Sequence, residues 1–194
     1  MKKLRYDSGA AKALGVLAIV LSVSGSSHAQ TLYWLGTLGG NESVALGVSD
    51  DGTVVGWARD ANGQQRAFRW KCGGPMVDLG TLGGPESIAN DISADGSVIV
   101  GTSRIGNPAT LWQAFKYQSG VMTNLGSLVP LGTSVARSVS ANGSVIVGYS
   151  TASCPGYEYD NNLGDCVATT FLLTAACKWT SSGISQVGNC YRDR

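Results

Sequence analysis

The chain has 194 residues, of which 43% are hydrophobic and 14% charged, and its formal net charge is +1. That length supports one domain with a core of its own. The basic residues fall singly along the sequence, which excludes the dense positive patch that a nucleic-acid backbone requires.

In chain order, residues 1–29 read as a secretory signal. Lys2, Lys3 and Arg5 make a positive start, Ala13 to Val23 an apolar stretch, and Ser27-His28-Ala29 a small-residue cleavage site. The apolar stretch of 11 residues is far shorter than a spanning helix needs, so no membrane span is expected once the signal is cut. Cleavage starts the mature chain at Gln30 and removes Lys2, Lys3, Arg5, Lys12 and Asp7, leaving ten basic against twelve acidic side chains. It also removes His28, the one histidine of the sequence. A chain without histidine cannot activate a nucleophile through a Ser-His-Asp or Cys-His pair, and it lacks the usual ligands of catalytic zinc. No cofactor or metal is expected.

After the signal one phrase comes round three times: Leu35-Gly-Thr-Leu-Gly-Gly40, Leu79-Gly-Thr-Leu-Gly-Gly84 and Leu125-Gly-Ser-Leu-Val-Pro130, spaced 44 and 46 residues apart. Such a period means one supersecondary unit copied in tandem. The units run over about residues 43–86, 87–133 and 134–190 of a repeat domain spanning 30–190, preceded by a lone strand in 31–42.

Within a unit four strands are predicted. Ser43 to Ser49 alternates bulky Val44, Leu46 and Val48 with small residues, the period of a strand. An Asp-Gly or Asn-Gly turn follows, read as two residues that both tolerate positive φ. Next come continuous apolar runs, Thr53 to Trp57, Ser97 to Thr102 and Ser144 to Tyr149, as in a strand covered on both sides. The third strand is Arg66-Ala-Phe-Arg-Trp70, repeated as Gln113-Ala-Phe-Lys-Tyr117 and Ala176-Cys-Lys-Trp179, and the fourth leads from Met76, Met122 or Ile184 into the next Leu-Gly or Val-Gly pair. Four antiparallel strands in this length make a β-propeller blade. The predicted fold is therefore all-β: tandem four-stranded antiparallel sheets forming a partial propeller of about three blades plus one N-terminal strand, Tyr33-Trp34-Leu35-Gly36, which matches the fourth strand of a unit. A truncated array, an oligomer that completes the ring and an open stack of sheets are all compatible with this pattern; truncation is the first choice, because no capping segment follows the last unit.

All five cysteines, Cys72, Cys154, Cys166, Cys177 and Cys190, fall in the exported part, where pairing is the default. Cys154 with Cys166 and Cys177 with Cys190 are the expected bonds, with Cys72 left over. No Cys-x-x-Cys spacing points to a metal.

Leu-Gly-Thr-Leu-Gly-Gly, then Ser-x-Ala, an Asp-Gly turn, Val-Val-Gly and Ala-Phe-x-Trp, resembles the HAF-type probable extracellular repeat family over residues 31–188. The His that names the motif is replaced by Arg66 and Gln113, and in the third unit Cys177 replaces the Phe. The resemblance implies a bacterial exported protein with propeller-like repeats, some relatives carrying an outer-membrane autotransporter barrel that is missing here. It supplies no catalytic motif, so no catalytic residues follow from it.

Four sets of residues are candidates for function. Asp51, Asp95 and Asn142 recur after Ser49, Ser93 and Ser140 and are expected to brace turns. Glu42 and Glu86 recur with Thr133 in the third copy; paired carboxylates suit glycoside hydrolysis, and solvated loop positions inherited by duplication are the simpler explanation. The third unit alone carries an insertion, Thr151 to Thr170, expected as a disulfide-pinned loop in which Tyr157 and Tyr159 could stack on a sugar while Glu158, Asp160 and Asn162 take its hydroxyls. Those oxygens fit calcium less well, since the EF-hand pattern is absent. Trp34, Trp57, Trp70, Trp112 and Trp179 are expected to pack in or between blades.

These features describe an exported, non-enzymatic, adhesin-like interaction module, secreted or at the cell surface, with the periplasm as a further location. Its expected ligand is a glycan or a protein, without nucleic acid and with self-association open. A propeller glycoside hydrolase using Glu42 or Glu86, and an inactive fragment of an autotransporter passenger, are the alternatives.

Overall fold

The computed structural model describes residues 32–106, 111–152 and 174–187 in full, and residues 18–19, 153–160 and 165–173 by backbone alone. Among these residues every regular element is a strand, and no helix is long and apolar enough to cross a membrane.

Three four-stranded antiparallel meanders follow one another. The first holds β3 (Gly39–Val48), β4 (Val54–Asp60), β5 (Gln65–Trp70) and β6 (Val77–Asp78). The second holds β7 (Gly83–Ile92), β8 (Val98–Ile105), β9 (Trp112–Gln118) and β10 (Val121–Asn124). The third holds β11 (Ser134–Val139), β12 (Ile146–Asp160), β13 (Asp165–Thr180) and β14 (Gly183–Gln186). Each sheet stacks on the next, so the apolar runs of the first two sheets, read as doubly covered strands, are sandwiched: Val55 and Ala67 of the first sheet pack with Ile99 and Phe115 of the second, and Val100 and Ala114 of the second with Ile146, Cys177 and Trp179 of the third. The third run departs from that expectation, being covered on one side only, with Ile146 buried and Val147 43% exposed.

The repeated glycine of the second strand has a steric cause. The first and second strands of every sheet carry a bulge, and there a β-carbon at Gly56, Gly101 or Gly148 would fall onto the carbonyl oxygen of Val44, Ile88 or Val135. Only glycine allows so close an approach.

A serine pins each junction. The Ser87 hydroxyl donates to the Gly80 carbonyl (2.6 Å) and accepts the Ala67 amide of the preceding sheet (2.9 Å). Ser134 does the same with Gly126 (2.6 Å) and Ala114 (2.9 Å). All the serines involved are buried, and every buried side-chain polar atom among the described residues has a partner.

The N-terminal strand differs from expectation. β2 (Leu32–Tyr33) pairs with β1 (Ala18–Ile19) inside the segment read as a signal, and belongs to none of the three sheets. Leu35 nevertheless takes the place that Leu79 has one unit later, packing on Val54, Phe68 and Trp70 of the first sheet.

Candidate functional site

The two ends of the blades differ in chemistry. At one end the first two strands of each sheet are joined by a turn in which Ser49 donates to Asp51 (2.6 Å), Ser93 to Asp95 (2.6 Å) and Ser140 to Asn142 (2.8 Å). The same oxygen then accepts the amide of Thr53, Ser97 or Ser144. Gly52, Gly96 and Gly143 alone carry positive φ; the Asp or Asn before each does not, so its work is done by the side chain and not by backbone tolerance. Successive turns are stitched together, Asp50 N–H to the Ala94 carbonyl (2.9 Å) and Ala94 N–H to Ala141 (3.1 Å). Lys71 also donates to Asp51 (2.7 Å), and with Ser49 and Thr53 it holds that carboxyl well below the usual range. Hydrogen bonds from Ser93 and Ser97 lower Asp95 in the same direction. The Oδ1 of Asp51, Asp95 and Asn142 braces its own turn in each copy, and Asn142 performs that task without charge. Among the described residues no three His, Cys, Asp or Glu side chains gather into a metal-holding cluster.

At the opposite end lie Glu42 and Glu86. Each is paired across the strands, Arg59 Nε to Glu42 at 3.1 Å and Arg104 Nε to Glu86 at 2.7 Å. Arg59 also stands over the Trp57 ring and Arg104 over Trp112, at 5.9 and 4.6 Å from the centroids. In the third sheet the same two positions are Thr133 and Thr151, whose hydroxyls meet at 3.0 Å. Acid and base have been exchanged together for a neutral hydrogen-bonded pair. This marks a cross-strand structural contact.

The insertion leaves from this end, and it is a hairpin. β12 and β13 stay paired from Ile146↔Trp179 out to Asp160↔Asp165, well past the point where β11 stops at Ser134↔Ser150 and β14 at Cys177↔Gln186. The disulfide-pinned loop expected for 151–170 is thus replaced by an arm continuing two strands of the blade. Its register places Tyr157 and Tyr159 in one alternating set of positions, opposite Ala168 and Cys166, and Glu158 and Asp160 in the other, opposite Val167 and Asp165. Alternate positions belong to opposite faces of a ribbon, so positions 157 and 159 fall on one face of the arm and positions 158 and 160 on the other. Asn162 lies outside the described residues.

The same register corrects the disulfide pattern. Cys154 stands opposite Phe171 and Cys166 opposite Tyr159, five steps apart along the arm or about 16 Å, where a bond needs α-carbons within about 7 Å. Cys177 is a free thiol buried between the second and third sheets, in the place that Phe115 fills one unit earlier, and burial pushes its pKa up to about 11. Cys190 lies outside the described residues, and Cys72 is free and exposed. Of the tryptophans, Trp70 and Trp179 are buried and Trp57 and Trp112 half-buried. Trp34 departs from expectation at 57% exposed, because it occupies the outward position that Asp78 and Asn124 hold in later units.

No family model and no curated protein matches the chain. Among solved structures it is similar to a protein assigned as TolB from Agrobacterium tumefaciens, with a TM-score of 0.50 and 14% identity, over 74% of this chain and 48% of that one. The fold is part of a β-propeller. This chain spans about half the length of that structure, and the likeness is one of architecture. Sequence reasoning missed the junction serines: Ser43, Ser87 and Ser134 looked like small residues of a strand. The signal that could have found them was the return of serine itself, rather than any small residue, seven or eight residues after the Gly of Leu-Gly.

Proposed function

We propose that the chain is an exported, non-enzymatic interaction module of the HAF-type repeat class, in which the stacked blades are a scaffold and the β12–β13 arm recognises a glycan or a protein outside the cytoplasm. The observation that carries this reading is the arm: three sheets repeat one four-strand order, and one of them alone sends two strands beyond its neighbours. Long departures from a rigid repeat are where binding is placed in scaffold proteins. The alternation of the arm narrows the contact to the face carrying the Tyr157 and Tyr159 positions, since aromatic faces stack well on sugar rings and on apolar side chains.

Support for a non-enzymatic role comes from the carboxylates. A glycosidase needs one free acid and one free nucleophile or base facing each other across a sugar, whereas Glu42 and Glu86 each hold an arginine on their own sheet. A glycan array run beside a broad glycosidase screen tests the proposal. Binding without turnover, weakened by Tyr157→Ala and Tyr159→Ala at unchanged melting temperature, is the expected result. Turnover abolished by Glu86→Gln, or binding indifferent to both tyrosines, would contradict it.

A further inference from the structure

The sheets stack by one rule, and the rule leaves the third sheet's shallow face open and the first sheet's bulky face with no sheet against it among the described residues. The second and third strands of every sheet share a register: Val54↔Trp70, Ile99↔Tyr117 and Ile146↔Trp179 alternate with Val55↔Arg69, Val100↔Lys116 and Val147↔Lys178. The first set, with Phe68, Phe115 and Cys177, gives each sheet a bulky face. The second, with Ala67, Ala114 and Ala176, gives it a shallow one. Both internal junctions set the bulky face of the later sheet into the shallow face of the earlier, and the junction serine then accepts the alanine amide across the gap.

On the third sheet the shallow face stands open. Val147 is 43% exposed where Val55 and Val100 are 0%, and Ala176 is exposed where Ala67 and Ala114 are buried. At the other end of the stack Val48 is 56% exposed where its counterpart Ile92 is 5%. Ser43 donates to Gly36 (2.8 Å) as Ser87 and Ser134 donate to their glycines, yet no amide of a described residue donates to it.

We propose that these surfaces are the two halves of one junction: the third sheet of one copy of this chain receives the first sheet of a second copy, head to tail, with the Ala176 amide donating to the Ser43 hydroxyl. The occupant is a second copy because the chain already makes this contact twice with itself, and each end carries the half that the other lacks. Two copies joined at both ends bring six sheets, within the four to eight blades at which propellers close. On the first sheet's bulky face Leu35 and Leu38 already lie where Leu79 and Leu82 lie in the next junction, with the Tyr33 ring 6.4 Å from Trp70. β2, whose two residues are both exposed, runs where the partner's β14 would lie, and it is the segment that yields.

Light scattering on the purified exported chain tests this directly, with a mass twice that of one chain as the expected result. Val147→Glu and Val48→Glu alter positions that are exposed in the single chain. Each alone should weaken association at least tenfold while leaving the melting temperature of the dissociated chain, read at high dilution, unchanged, and mixing the two variants should restore a dimer through the one junction left intact. Ser43→Cys with Ala176→Cys should give a cross-linked peptide joining positions 43 and 176 of different chains after oxidation. A monomeric wild-type chain would leave both faces to some other partner and overturn the proposal. So would a dimer that lacks the 43–176 link or is indifferent to both glutamates.

Discussion

At the scale of single residues, position within the repeat decides what a side chain is worth. Ser87 serves two partners in different sheets and Ser43 only one, although the sequence around them is alike. Ser87→Ala leaves a buried amide and a carbonyl unsatisfied, a cost of about 1–3 kcal/mol. Ser43→Ala is expected to cost a fraction of that in chemical denaturation of the monomer. Asp95 offers a pH test. Its folded-state pKa is depressed, so the stability it brings is present above the ordinary value of 3.8 and is lost as the pH falls through the lower folded value. Asp95→Asn, which copies the third unit's Asn142, should keep the turn and remove that share of the acid sensitivity, whereas Asp95→Ala should lower the melting temperature at neutral pH as well. Cys177 has the opposite sign. Its thiol is raised by burial, so its contribution is complete at neutral pH and fades as the pH climbs from 9.0 toward about 11. Thiol labelling followed by peptide mapping should find Cys72 modified in the native chain and Cys177 only after unfolding.

At the scale of elements, the parts that repeat were legible in the sequence and the parts that do not were obscured. Recurrence of Leu-Gly-Thr-Leu-Gly-Gly, of Asp-Gly and of Ala-Phe located twelve strands in three sheets, because duplication prints the same period several times over. The arm appears once, and Cys154-Pro155-Gly156 reads locally as a loop. Proline is nevertheless compatible with an edge strand, and β12 beyond Ser150 is one, since β11 no longer accompanies it. Cysteine spacing misled for the same reason: a pair twelve residues apart looks ready to close a loop, but a hairpin register sets the two off by five steps. Peptide mapping of the oxidised chain should accordingly find no bond between Cys154 and Cys166 of one chain. Such a bond would mean that the register of the arm is different.

At the scale of the whole molecule, the proposed function divides the labour: the repeated junctions hold, and the one unshared projection recognises. Core positions belong to the first task. Phe115→Ala empties a fully buried site between the first two sheets and should cost about 3–5 kcal/mol, with binding lost only in proportion to unfolding. The arm belongs to the second task, and because its pairing partners lie within itself, the blade should tolerate its loss. Excision of residues 153–172, with Ala152 joined to Leu173 through an Asn-Gly turn at positions that already face each other, separates the two tasks. The measurement is the melting temperature and array binding of the excised chain beside those of the intact one. An unchanged melting temperature with binding abolished is the expected result; a chain that unfolds, or one that binds as before, would contradict the division between scaffold and recognition arm.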